Sequence, residues 1–255
     1  MPTDISLLTC GRPTVVPVPG GSDLGEILGH IQGMMDSVMA QLSWLAEQED
    51  ERVAMFGPFL GRSLLELSAT ALIGRLDPLR LLVVRQVQTQ ADYNIGVPWK
   101  ASIRWQGDVL TAKAMTNLWG EAMEYEKVSK ALLGEYYDHL IWRPAAQRML
   151  SVVQGGGTWL AELASIDADA FVSRKRYEIG QLYSSLSKGI HHEFVAPPRL
   201  GLYDRNTVRS LILRTVRLIA DLGLVSHFIG HAASSLESAE AMDAFNRIET
   251  IEVMK

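Results

Sequence analysis

The stretch SDLGEILGHIQGMMDSVMAQLSWL, residues 22–45, carries the clearest helical pattern in this chain. Its apolar side chains recur at intervals of three and four, which places them on one face of an α-helix. Ser22-Asp23 supplies the N-cap, because short polar side chains accept the first free backbone N–H groups. The apolar residues of this pattern are Leu24, Ile27, Leu28, Ile31, Met34, Met35, Val38, Leu42 and Leu45.

The same periodicity recurs along most of the 255 residues, so the sequence predicts an all-α helical bundle of about eight to nine helices. Aspartate at an N-cap and proline at a first helical position mark several starts, and Ser234-Ser-Leu-Glu237 has the pattern of a capping box. Near 93–107 the pattern fails, and Ala101–Trp105 alternates as in a short strand, which predicts an irregular or hairpin segment. The predicted helix starts after the first are Gly57-Pro58, Asp77-Pro78, Asp108, Glu135, Thr158, Asp167, Asp204 and Ser234.

Proline and glycine divide the chain. Residues 1–22 are predicted to form an extended N-terminal arm, because they include Pro13, Pro17, Pro19, Gly20 and Gly21. Gln154-Gly-Gly-Gly157 is the clearest linker, since consecutive glycines are costly in regular structure. It separates an N-terminal helical subdomain, 23–153, from a C-terminal one, 158–255, unless the two pack as one domain.

Composition narrows the function classes. The formal charge of −5 argues against a protein that coats a nucleic acid backbone. The single cysteine rules out an intramolecular disulfide framework and fits a reducing compartment. No stretch has the roughly 18 to 20 apolar residues of a membrane span, so we expect a cytoplasmic protein. The 47% hydrophobic content and mean hydropathy of +0.07 predict a thick core and an oligomer interface.

Chemistry near neutral pH is concentrated at the end of one predicted helix, in Tyr183-Ser-Ser-Leu-Ser-Lys-Gly-Ile-His191-His192-Glu193. Gly189 would let the helix end in a left-handed turn and direct a histidine back toward a neighbouring helix. An imidazole there can act as general base or acid. The alternative is a structural histidine that caps a helix carbonyl or bonds to Glu193.

The helix with Tyr183-x-x-Leu-Ser followed by Gly-Ile-His191 resembles the third-helix region of HEPN-type domains, and the resemblance covers residues 108–233. This resemblance implies a helical bundle that dimerises and belongs to a bacterial antiviral defence, toxin-antitoxin or RNA-processing system. Active members cut RNA without a metal, using an arginine, a polar residue and a histidine, with four to six residues between the arginine and the histidine. This chain has Ser184, Ser185 and Leu186 at those positions before His191, and Ser185, Leu186 and Ser187 before His192. None is an arginine, so the expected protein is a non-catalytic relative.

Two further groups are candidate binding residues. Arg174-Lys175-Arg176 is the densest basic cluster and lies more than about 20 Å along the helix axis from His191, so the two would meet only across an antiparallel dimer. Trp99 and Trp105 could stack on a base, or the loop that holds them packs on the bundle. Together these are the candidate residues for RNA or partner binding, beside the alternative of a solvated basic face.

His227 and His231 are four residues apart, the spacing of two zinc ligands on one helical face. The glutamate of a zincin motif is missing, because position 228 is phenylalanine. We therefore predict no metal and no cofactor, with this histidine pair as the only metal candidate.

The sequence thus favours a non-catalytic, HEPN-like protein-interaction, accessory or sensor component that forms a homo-oligomer and binds a second protein, with RNA as a further candidate partner. The alternative is a metal-independent endoribonuclease with His191 or His192 as general base and Glu193 beside them.

Overall fold

The fold is taken from a computed structural model of the full chain. The residues that it describes are 3–15, 23–97, 101–111, 115, 117–120, 124, 128–153, 155–190 and 203–250.

The described part of the chain contains ten α-helices and no β-strand, so the predicted all-α class is confirmed. A π-helical turn at Asp138–Trp142 joins α5 to α6. Trp105–Val109 forms an irregular turn, because Gln106 has an extended backbone and Gly107 has a left-handed φ of 102°. In chain order the helices are α1 Asp4–Cys10, α2 Leu24–Ala46, α3 Asp50–Leu76, α4 Pro78–Gln88, α5 Glu135–Tyr137, α6 Arg143–Val152, α7 Thr158–Ala164, α8 Ala168–Ile190, α9 Arg205–Ser226 and α10 Ser238–Glu249.

Helix α3 is the centre of the bundle, because α2, α8 and α9 all pack against it. Its side toward α8 and α9 carries Gly57 and Gly61, where a Cβ atom would collide with Val208 and Ile212. The prediction that this helix begins at Gly57-Pro58 is wrong. It begins at Asp50 and continues through Pro58, which is buried, so packing on both neighbours compensates for the hydrogen bond that proline cannot donate.

The N-terminal arm is also corrected in part. Residues 4–10 form helix α1, which Thr3 caps by accepting from the backbone N–H of Ser6. The prolines and glycines that suggested an extended arm all follow this helix, and residues 16–22 lie outside the described part of the chain. Ile5 and Leu8 have no exposed surface, so α1 belongs to the core.

Asp108 does not start a helix that runs to Leu133, as the sequence suggested. Its backbone carbonyl accepts from Leu132, and one carboxylate oxygen accepts from the N–H of Arg104 at 2.7 Å. The other oxygen pairs with Arg80 of α4. Asp108 therefore anchors an irregular segment against α4, because its side chain serves a loop N–H and a cation.

Other helix boundaries agree with the sequence. Asp23 caps α2, Pro78 opens α4, and Asp204 caps α9 through the N–H of Thr207 at 2.7 Å.

The predicted capping box at Ser234 is wrong, because α10 begins four residues later, after Glu237, and Ser234 has a left-handed φ of 56°.

One continuous cluster of buried side chains includes residues from both sides of the glycine linker. Leu64 of α3 belongs to it together with Leu186 of α8 and Ile212 of α9. The helices of the two predicted subdomains therefore share one core.

A buried arginine joins the helix ends at one pole of this core. The side chain of Arg75, at the end of α3, has 0% exposure. Its Nε donates to the carbonyl of Ala233 at 2.9 Å, and Nη1 donates to the Ser226 hydroxyl at 2.6 Å and, at 3.4 Å, to the carbonyls of Leu8 and Thr9. Carbonyls at a helix C-terminus lack partners of their own and carry partial negative charge, so the guanidinium satisfies the end of α1.

His227 completes the arrangement from the end of α9. Its Nδ1 accepts from the N–H of Leu236 at 3.0 Å and lies 3.1 Å from Nη2 of Arg75, and its Nε2 donates to the Leu8 carbonyl at 2.9 Å. This set of partners requires the neutral Nε2–H tautomer. Burial, with the neighbouring charge of Arg75, lowers the pKa of His227 from 6.5 to about 3.

Arg75→Met should lower the free energy of unfolding by about 3 to 5 kcal/mol, because the buried carbonyls of Thr9 and Ala233 would lose their side-chain donor and the Leu8 carbonyl would keep only His227. Urea unfolding followed by circular dichroism measures this. Arg174→Met, at an exposed arginine of α8, is the matched control and should change stability by less than about 0.5 kcal/mol. Equal effects of the two substitutions would contradict the structural role of Arg75.

Acid should destabilise the protein through His227. Because its folded-state pKa is the lower one, the unfolded chain binds the proton first, so the contribution is full above pH 6.5 and is lost as the pH falls toward 3. Between about pH 7 and 4.5, wild type should lose roughly 2 to 3 kcal/mol more unfolding free energy than His227→Gln. Urea titrations at both pH values test this, with His231→Gln expected to behave as wild type.

Candidate interaction site

An open groove lies between α2, α3, α4 and the irregular segment at 101–109. Its cavity volume is about 950 Å³, at the upper end of the range of small-molecule sites. Its wall is mainly apolar, and Trp105 and Tyr183 line it from the irregular segment and from α8. The apolar lining from α2, α3 and α4 comprises Ile27, Ile31, Met34, Val38, Leu67, Leu81 and Val84.

Four ionisable side chains reach this groove. Glu26 and His30 come from consecutive turns of α2, Glu66 from α3 and Arg85 from α4. The groove therefore offers both signs of charge around an apolar floor. Such a lining suits an amphipathic ligand or the side chains of a partner protein.

A stack of three side chains links α3, α8 and the irregular segment at the edge of the groove. The rings of Trp105 and Tyr183 lie parallel with their centroids 4.1 Å apart. Arg62 of α3 donates to the Tyr183 hydroxyl at 2.7 Å and pairs with Glu66 at 2.9 Å. Trp105, predicted as a base-stacking residue, thus has one ring face occupied by Tyr183.

The first half of α3 exposes a row of large apolar side chains beside the groove. Met55, Phe56 and Phe59 are 54%, 48% and 55% exposed. At 100° per residue they lie within about 100° of one another around the helix axis. Large exposed apolar patches mark interaction surfaces, and phenylalanine and methionine are enriched in interfaces. We call Met55, Phe56 and Phe59 the α3 patch.

The predicted catalytic residues His191, His192 and Glu193, together with Trp99, lie outside the described residues. The helix that leads to them is described as far as Ile190. Gly189 lies within α8 and is not a left-handed terminal residue, which corrects its predicted role. A Cβ atom at Gly189 would collide with Pro58, so glycine permits close contact between α8 and α3.

The basic cluster does not form one surface. Arg174 is exposed, but Lys175 is only 5% exposed and pairs with Asp221 of α9 at 2.5 Å. Burial raises the pKa of Asp221, and the Lys175 charge partly opposes this shift. Arg176 pairs with Glu135 at 2.8 Å. Lys175 is therefore a core residue and not part of an RNA-binding face.

The histidine pair does not form a metal site. His227 uses both ring nitrogens in the contacts with Leu8 and Leu236, and His231 lies on the exposed turn that follows α9. The described residues contain no cluster of three or more side chains suited to a metal ion. The four-residue spacing was misleading because α9 ends at Ser226.

Sequence reasoning missed Arg62 and the α3 patch. A signal for the patch was present, because Phe56 and Phe59 fall on the side of the helix opposite the residues that pack into the core. The predicted helix start at Gly57 fell between Phe56 and Phe59, so the two residues were not assigned to one helix. Arg62 gave no local signal, since its partner Tyr183 is 121 residues away.

Comparisons with protein-family models, with curated proteins and with solved structures find no match to this chain. Within the described residues, no helix combines the length and the apolar character needed to cross a membrane.

Proposed function

We propose that this chain is a non-catalytic, HEPN-like interaction protein that acts as a homo-oligomeric accessory or sensor component. Its placement in a bacterial defence or toxin system rests on the resemblance of the Tyr183–His191 segment alone. The observation that carries the interaction proposal is the α3 patch, in which two phenylalanines are about half exposed.

The energy at stake supports association. A phenylalanine buries about 150 to 250 Å² when covered, so covering the exposed half of each ring contributes roughly 2 to 3 kcal/mol at about 25 cal/mol per Å². Two rings on each of two copies then offset much of the entropic cost of pairing. The neighbouring groove gives a sensor a place for a ligand close to the same surface.

Wild-type protein should scatter light as a dimer, with about twice the monomer mass of 28.2 kDa, at micromolar concentration. Replacing Phe56 and Phe59 together by glutamine should raise the dissociation constant by at least about tenfold, because it removes apolar burial. Multi-angle light scattering over a dilution series measures both results.

The matched control replaces Leu79 and Val83 of α4 by glutamine, since these side chains are 68% and 52% exposed. It should leave the mass unchanged. A monomeric wild type would contradict the interaction proposal, and dissociation of the α4 variant alone would move the interface to α4.

The ribonuclease remains a second candidate because of one observation. Arg62 lies one helical turn beyond Pro58, which packs on Gly189 near the end of α8. It is an arginine from another helix, and its hydrogen bond to Tyr183 places it beside α8, the helix that leads to His191 in the sequence. A guanidinium stabilises the charge that develops on phosphate during cleavage.

Incubation with mixed single-stranded RNA in EDTA separates the two candidates. The interaction proposal expects intact RNA on a denaturing gel. Cleavage that is lost in both Arg62→Ala and the His191→Ala, His192→Ala double variant, but kept in Arg174→Ala, would establish the ribonuclease instead.

A further inference from the structure

Charged side chains bracket the α3 patch at seven-residue intervals. Arg52, Phe59 and Glu66 are separated by two helical turns each, and the drift over seven residues is only about 20°. The three therefore lie on one line along α3. Arg52 is exposed, and the Glu66 side chain retains 45% exposure. From its N-terminal side, this face of α3 therefore carries a cation, an apolar centre and an anion.

We propose that two copies of this chain pair through their α3 helices in antiparallel orientation, about a two-fold axis that passes at Phe59. The inference rests on the proposed function and specifies its partner and geometry. Residue i of one copy then lies opposite residue 118 − i of the other. The partner's Arg52 faces Glu66, and Phe59 faces its equivalent.

Charge complementarity selects a second copy in this orientation. A two-fold axis brings each end of the face against the opposite end of its mate, which makes two Arg52–Glu66 pairs. A parallel arrangement would set arginine against arginine and glutamate against glutamate. The surface is thus complementary to itself only when the helices run in opposite directions.

The pairing also completes the groove. Glu66 lines the groove and already accepts from Arg62 at 2.9 Å. The partner's Arg52 would add a second guanidinium at the groove rim. Within its own copy, Arg52 contacts the side chain of Gln48 at 3.5 Å, a neutral partner that a carboxylate can replace.

Two charge reversals test this geometry through the symmetry of the dimer. In Arg52→Glu homodimers, glutamate faces Glu66 at both ends, and in Glu66→Arg homodimers, arginine faces Arg52 at both ends. Each variant alone should dimerise at least about tenfold more weakly than wild type, because two attractive surface pairs become repulsive.

An equimolar mixture of the two variants should regain dimers. In the heterodimer, the introduced glutamate at position 52 faces the introduced arginine at position 66, and the native Glu66 faces the native Arg52. The chain with both changes should also return to within about threefold of the wild-type dissociation constant. Sedimentation equilibrium measures all four samples, and far-UV circular dichroism checks that each variant is folded.

The outcomes separate this inference from the proposal beneath it. If wild type is dimeric but neither mixing nor the double change restores association, the antiparallel α3 pairing is wrong and association through another face stands. If wild type is monomeric throughout, the proposed function itself fails.

Discussion

The structure depends first on the burial of a charged group without a carboxylate partner. Arg75 has 0% exposure, and its donors go to carbonyl, hydroxyl and imidazole groups. Burial lowers the pKa of Arg75 to about 10, which leaves it charged at neutral pH. Removing such a group from water is costly unless each donor is bonded. The ends of α1 and α9 and the turn before α10 must therefore converge on this side chain. Arg75 thus holds these three segments together at the C-terminal end of α3.

The other end of α3 has the opposite character. Every residue from Ala71 to Arg75 is buried among the neighbouring helices, whereas Met55 and Phe59 face outward. A helix held so firmly at one end is a rigid support for an exposed surface at the other. A preorganised surface loses little conformational entropy when it is covered. The contacts that stabilise the fold thus also hold the α3 patch in place for the association that we propose.

The helical class and most helix boundaries followed from local information. The caps at Asp23 and Asp204 act within two or three residues, so they could be predicted from the sequence alone. Long-range effects account for the errors. Pro58 continues a helix because α8 and α9 enclose it, Asp108 serves Arg80 of another element, and Lys175 is neutralised by a carboxylate 46 residues away. The candidate site was not predictable as a unit, since Arg62 meets Tyr183 only in the folded chain.

The central claim is that α3 meets α3 of a second copy at Phe59. The chain has one cysteine, Cys10, which is buried and whose pKa burial raises to about 12, so it does not compete in thiol chemistry. Phe59→Cys should form a disulfide-linked dimer under mild oxidation at micromolar concentration, because a residue on the two-fold axis faces its equivalent. Tyr177→Cys, at a 72% exposed position on α8, should stay monomeric on non-reducing gels. Equal cross-linking of the two variants, or none at Phe59→Cys, would contradict the account.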